Sequence, residues 1–263
     1  MKYIITEEQH NRINEINVYQ GSMRVSPTYK DILDIVRDDY GDKAYYKAVR
    51  EYVKKVLGYP EKFKKKDAKD YGEAAWTTNT ESMPEELKNS EVLANLGYFM
   101  AKKFLNLRML GELECYVRKG SLYGKTYYFF DHELEICVGY INCTSLDGEY
   151  GGVYIPRNSY SITTSQVDEG LIGKGIGKQM YLSVLEDVDV LLSDTMLYTD
   201  SLNIWVNILP KYVYVGALFR DKKFKRILPK TPILKHEDVL RYFATKNPKL
   251  IKARGSNDDE DDD

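Results

Sequence analysis

The 263 residues are 43% hydrophobic and 30% charged with a net charge of −2, a balance that suits a folded globular chain and argues against wholesale disorder. No apolar run approaches the roughly 20 residues of a membrane helix, and Met1-Lys2-Tyr3-Ile4-Ile5-Thr6 turns polar too early for a secretory signal, so no membrane partner is expected and a cytoplasmic setting is. Cys115, Cys137 and Cys143 hold no CxxC pair and His10, His132 and His236 lie far apart, so neither a disulfide framework nor a metal site is predicted.

In chain order, residues 3–5 read as a short strand followed by a short helix. Ser26 before Pro27 marks a helix start, a cap followed by proline at the first position. Tyr45, Ala48, Val49, Tyr52, Val53, Val56 and Leu57 recur at helical spacing and stop at Gly58. Residues 62–80 show no such period and read as a basic linker or long loop. Ser82-Met83-Pro84-Glu85 has capping-box spacing, and Val92, Leu93, Leu96, Phe99, Met100, Phe104 and Leu107 form an apolar stripe after a break near Asn89-Ser90.

Beyond residue 113 the period becomes that of strands, at 113–117, 126–130 and 134–143, with Asp131-His132-Glu133 as a hairpin turn. Gly151-Gly152 and Pro156-Arg157-Asn158 break the chain before an alternating strand at 159–167. A glycine loop, an amphipathic run at 179–186, a strand at 188–192, a helix containing 201–208 and a strand at 212–219 follow. Between 220 and 254 twelve Lys/Arg face three Asp/Glu, and residues 258–263 are all acidic. A solvated surface with an acidic tail accounts for that, although phosphate or nucleic acid would also be drawn to it. No aromatic stacking motif or recognition-helix module supports nucleic acid as a partner. The 23 tyrosines against 2 tryptophans fit an AT-rich coding sequence better than an interface.

The loop Leu171-Ile172-Gly173-Lys174-Gly175-Ile176-Gly177-Lys178 stands between a strand and a helix, where free N–H groups at a helix start cradle phosphate. Its alternating glycines do not match the Rossmann G-x-G-x-x-G, and Gly177-Lys178-Gln179 does not complete a P-loop. A purely structural turn is the bland alternative.

The stretch from Val167 through Gly177 resembles motif A of the GNAT superfamily of acyl-CoA-dependent acyltransferases, in which a strand ends in valine and an (R/Q)-x-x-G-x-(G/A) loop opens five residues later. Leu191-Leu192-Ser193-Asp194 and Ser201-Leu202-Asn203-Ile204-Trp205 resemble the next strand and helix of that family, and the likeness spans about 84–228. The opening residues 1–7 and the Ser-Asp…Trp pattern are also similar to tailed-phage proteins with a GNAT-like domain.

The resemblance implies a mixed α/β (α+β) fold with a mostly antiparallel central sheet, splayed strands and flanking helices. A helical region at 1–83 would precede a GNAT-like domain at 84–228, and a basic extension with an acidic tail would occupy 229–263. It implies acetyl-CoA as co-substrate, with pantetheine along Ser165 and Val167 and pyrophosphate over Ile172, Gly173, Lys174, Gly175, Ile176, Gly177 and Lys178. An amine of unspecified kind would attack the thioester directly, and a metal would play no part.

Four departures weigh against turnover: Ile172 stands for Arg or Gln, Trp205 for the tyrosine acid, Tyr198 for asparagine and Leu209-Pro210 for Gly-Phe. Asp194 and Tyr198 are the candidate replacements for the catalytic groups, with Asp168 and Glu169 bordering the loop. The rival expectation is a protein of this fold without turnover, partnered with a phage or host protein as a virion component.

Overall fold

The computed structural model describes residues 28–55, 65–77, 89–120, 124–146, 148–194, 197, 199–228 and 238–253. The expected strand at 3–5, the cap at Ser26-Pro27, the capping box at Ser82–Glu85, Tyr198 and the acidic tail lie outside them.

Three helices come first. Helix α1 (Thr28–Lys55) kinks at Gly41, whose φ of 80° and ψ of 161° no helix contains. The seam Tyr45, Ala48, Val49, Tyr52 and Val53 is fully buried, as its i, i+3, i+4 spacing requires. Helix α2 (Lys65–Thr77) overturns the expected linker. Its buried side is Ala68, Tyr71, Gly72, Ala74 and Ala75, and apart from Tyr71 these residues are too small to register as a hydrophobic stripe. The small face lets α2 lie close to α1, where the Tyr45 hydroxyl donates to the Gly72 carbonyl at 2.8 Å. Helix α3 (Ser90–Phe104) starts at the break seen in the sequence, and Asn89 caps it by accepting the Glu91 N–H at 2.8 Å.

The strands then build a nine-stranded, mostly antiparallel sheet. They are β1 (Arg108–Leu110), β2 (Leu113–Lys119), β3 (Gly124–Asp131), β4 (Ile136–Ser145), β5 (Gly148–Tyr150), β6 (Val153–Ile155) and β7 (Ser159–Val167). After helix α4 (Ile176–Asp187) come β8 (Val190–Leu192), the short helix α5 (Thr199–Asn203) with a π turn at Ile204–Ile208, β9 (Tyr214–Phe219), β10 (Phe224–Ile227), β11 (Val239–Thr245) and β12 (Lys252–Ala253). The order in the main sheet is β1-β2-β3-β4-β7-β8-β11-β9-β10, and β12-β6-β5 form a separate small sheet. Mixed α/β architecture with a largely antiparallel sheet is therefore the observed fold class.

Beyond residue 228, the described residues contribute a strand to the main sheet. Val239–Thr245 enters the interior of the main sheet, antiparallel to both β8 and β9, because Tyr242, Phe243 and Ala244 are apolar on both faces. One face of the sheet carries α4 and the core of Tyr127, Phe129, Val138, Ile141, Met180, Val184 and Trp205. On the opposite face α1–α3 cover Tyr128, Phe130, Cys137 and Tyr140, and the small sheet packs Val153 and Ile155 on Leu192, Leu218 and Phe243. Helix α3 shares one core with α1 and α2.

Candidate functional site

Among the described residues, strands β7 and β8 are the parallel pair of the main sheet, and they pair at Ser159↔Val190, Tyr160↔Leu191 and Ser161↔Leu192. Beyond that point β7 runs on to Val167 along β4, while the chain after Leu192 follows β11, where the Ser193 N–H donates to the Tyr242 carbonyl at 2.9 Å. A bulge starts the divergence: Asn142 pairs with Thr164 and Cys143 with Ile162, leaving Thr163 as the extra residue. The unpaired edge of β7 thus faces a widening gap with backbone donors and acceptors available. Arg241 holds the apex, donating to the Ser161 hydroxyl at 3.1 Å and to the Ser193 carbonyl.

The glycine loop sits at the end of β7. A 3₁₀ turn (Glu169–Leu171) leads to Ile172, which is 63% exposed, and then to Gly173 and Gly175 with φ of 83° and 85°. Gly175 occupies the cap position of α4 in the left-handed conformation and offers no side chain to it. The N–H groups of Ile176, Gly177 and Lys178 therefore have no partner within the helix. A Cβ at Gly173 or Gly175 would meet nothing within 4 Å, so the space above the loop is open. Gly177 instead packs, because a Cβ there would lie 3.4 Å from Ile204 and 3.6 Å from Val167. Ile176 is buried and anchors the turn, Lys174 is exposed, and the Lys178 ammonium lies 5.3 Å from the ring centre of Tyr212. The predicted contacts Val167, Ile172, Gly173, Lys174, Gly175, Ile176, Gly177 and Lys178 are thus brought to one corner, with Ser165 two residues up the strand.

The predicted catalytic residues fare differently. Asp194 directly follows Ser193 at the mouth of the gap and is half-buried, with its carbonyl accepting the Ser193 hydroxyl at 2.9 Å. Tyr198 lies outside the described residues. Asp168 faces away from the loop to the start of α1, accepting the Thr28 hydroxyl at 2.7 Å and the Thr28 N–H at 3.2 Å. It acts there as a helix cap supplied from a distant strand. Burial raises the Asp168 pKa against those two hydrogen bonds.

Tyr181 is the residue that the sequence reading missed. It reaches from α4 to the part of β7 beyond the splay, 2% exposed, with its hydroxyl 3.0 Å from that of Ser165. Burial raises its pKa, while Ser165, Ser201 and Trp205 pull the other way. The Trp205 ring stands edge-on to Tyr181 at 5.8 Å. Its buried indole N–H lies near the Tyr181 oxygen yet completes no hydrogen bond of normal geometry. A tyrosine in the buried stripe of α4 was itself the signal, because a buried hydroxyl needs a polar partner.

Among solved structures, the chain is similar to three acyltransferases. An IAA acetyltransferase from Bacillus cereus ATCC 14579 matches at 18% identity and TM-score 0.26, over 46% of this chain and 75% of the other. An acetyltransferase of the GNAT family from Staphylococcus aureus Mu50 matches at 14% and 0.30, over 78% and 96%. A protein described as an acyl-CoA N-acyltransferase from Klebsiella pneumoniae subsp. pneumoniae MGH 78578 matches at 11% and 0.29, over 61% and 93%. No family profile and no curated protein sequence matches the chain. Scores this low decide nothing by themselves; the splayed pair with a glycine loop at its mouth is the informative geometry.

Among the described residues no helix is long and apolar enough to cross a membrane, and no group of three or more His, Cys, Asp or Glu is placed to hold a metal.

Proposed function

We propose that this chain binds an acyl-CoA, acetyl-CoA in the first instance, in the gap between β7 and β8 and transfers the acyl group to an amine. The observation that carries the proposal is the opening of a parallel strand pair at Ser161/Leu192 beside a helix start left uncapped by Gly175. Pantetheine is an extended amide chain and pairs with the free edge of β7 near Ser165 and Val167, as an added strand would. The pyrophosphate sits over the N–H groups of Gly173 to Lys178 at the positive end of α4, with Lys174 and Lys178 as flexible counter-charges. Ile172, exposed on the loop, adds no charge to that cradle.

A β7 N–H near Ser165 polarises the thioester carbonyl. The departing thiolate needs a proton, and Tyr181 supplies it. Its hydroxyl is held by Ser165 on the strand that carries the thioester, and burial keeps it protonated at neutral pH. Trp205, buried and without an ionisable proton near neutrality, forms the wall behind Tyr181. Asp194, at the mouth, is the group on the β8 side placed to receive protons from the acceptor.

Calorimetric titration with acetyl-CoA, against desulfo-CoA, tests the reading. The expected result is saturable micromolar binding that Gly175→Val abolishes while the circular dichroism spectrum is kept, since valine cannot hold the left-handed turn of the loop and would also fill the open space above it, without touching the core. Unchanged affinity in that variant would sink the loop assignment. No binding at millimolar ligand would leave a protein of this shape without acyl transfer.

A further inference from the structure

Arg241 reaches across the base of the gap on the face of the sheet away from α4. Tyr242 and Ala244 lie in the core beneath α4 and Phe243 lies under the small sheet, so alternation along β11 puts Arg241 on the face of Phe243. Ser161 shares that face, because its neighbour Ile162 joins the core beneath α4. The guanidinium thus crosses from β11 to β7 just past Leu192, which pairs with Phe243 and belongs to the small-sheet cluster. Its Nη1 donates to the Ser161 hydroxyl at 3.1 Å and to the Ser193 carbonyl, and its Nε points at the Tyr150 hydroxyl 3.5 Å away. The Tyr150 ring centre lies 5.7 Å from the guanidinium carbon.

These contacts fix the cation in place without neutralising it. Each acceptor is an uncharged oxygen, and among the described residues no carboxylate forms an ion pair with Arg241. Nη1 is fully engaged, whereas the two N–H groups of Nη2 meet no protein acceptor among the described residues. Arg241 is half-buried, so its charge is partly stripped of water and gains more from an anion than an exposed one would. A planar fork with donors to spare, held rigid from three sides, matches a carboxylate.

Position along the gap says which part of a ligand meets this cation. With pyrophosphate at the glycine loop, pantetheine runs from Val167 to Ser165, back along β7 toward the apex. The acyl group continues in that direction, and Ser161 lies roughly 13 Å down the strand from Ser165. Thr163 and Thr164 are exposed, so the gap stays open along this path. An acetyl group ends well short of Arg241, whereas a longer acyl chain carries its far end to the guanidinium. We infer that the acyl donor is the CoA thioester of a short-chain dicarboxylic acid, and that Arg241 binds its distal carboxylate. The inference rests on the acyl-CoA reading of the gap. In the transfer a neutral amine forms the N–C bond as the C–S bond breaks. Tyr181 gives its proton to the leaving sulfur and recovers one from the nitrogen, while the distal carboxylate stays ionised on Arg241.

The test is calorimetric titration of the full-length protein with succinyl-CoA and glutaryl-CoA, and with acetyl-CoA and butyryl-CoA as thioesters lacking the second carboxylate. At least one dicarboxylic thioester is expected to bind about tenfold or more tightly than butyryl-CoA. Arg241→Gln should bring that ratio to about one. A clamp that serves the fold alone gives a different result, because Arg241→Gln then weakens every thioester together and the ratio is kept; that outcome would overturn the inference. Should Arg241→Gln unfold, Arg241→Lys keeps the charge without the fork and is expected to narrow the preference; an unchanged ratio there would equally overturn the inference. Wild-type binding of acetyl-CoA and butyryl-CoA with no preference for either dicarboxylic thioester would overturn the inference whatever the variants do, and would leave the acyl-CoA reading standing. No binding of any of the four thioesters would overturn both.

Discussion

At Asp31 a half-buried carboxylate has no hydrogen-bond donor among the described residues, and burial, followed by the charge of Asp34, lifts its pKa to about 6. Because the folded value exceeds the model value of 3.8, the folded chain binds the proton more tightly than the unfolded one. The associated stability is present below about pH 4 and is lost as pH rises through about 6. Asp31→Asn is therefore expected to raise Tm at pH 7, with the gain closing below pH 4; a variant less stable than wild type at pH 7 would contradict the assignment. Tyr181 makes the complementary prediction. Tyr181→Phe keeps the buried ring and loses the proton, so kcat should fall by about 10²-fold with acetyl-CoA affinity kept. Equal rates would pass the acid role to another group. The sequence did not mark Tyr181 as functional, because it looked like part of a core stripe.

Elements differ in how legibly they were written. Strand β7 spans the residues that alternation predicted, and α4 follows the glycines as expected, because period and turn chemistry are local properties. Helix α2 escaped notice because its contact face, Tyr71 apart, is alanine and glycine, suited to close approach rather than bulk. Gly97 on α3 does the same work, since a Cβ there would lie 2.7 Å from Cys137 and 2.8 Å from Tyr29. Gly97→Ala should cost about 1–3 kcal/mol in urea unfolding by forcing α3 off α1 and β4. A cost under about 0.5 kcal/mol would mean that the helix shifts freely. Tyr45, Tyr52, Tyr127, Tyr128, Tyr140, Tyr181 and Tyr242 are all buried, so these tyrosines pack the core whatever the origin of their abundance.

For the whole molecule, the sheet is completed out of sequence order. Residues 239–245 lie between β8 and β9, so the last strand to be synthesised in the main sheet joins two halves already present. Ending the chain at residue 237 would strip β8 of its antiparallel partner and remove Arg241 from the apex of the gap. That truncation should lose cooperative thermal unfolding and acetyl-CoA binding together; a cooperative, CoA-binding truncation would show that the gap is held from β4 alone.

The sequence by itself determined the glycine loop, the strand before it, the helix after it and the mixed α/β class, because backbone conformation and hydrophobic period are set by near neighbours. Only the tertiary structure decided which residues share the gap. The register of β4 on β7, the bulge at Thr163, the capping of α1 by Asp168 and the insertion of β11 all join residues far apart in the chain. Such pairings follow from which surfaces fit once the elements pack, and no local pattern records them.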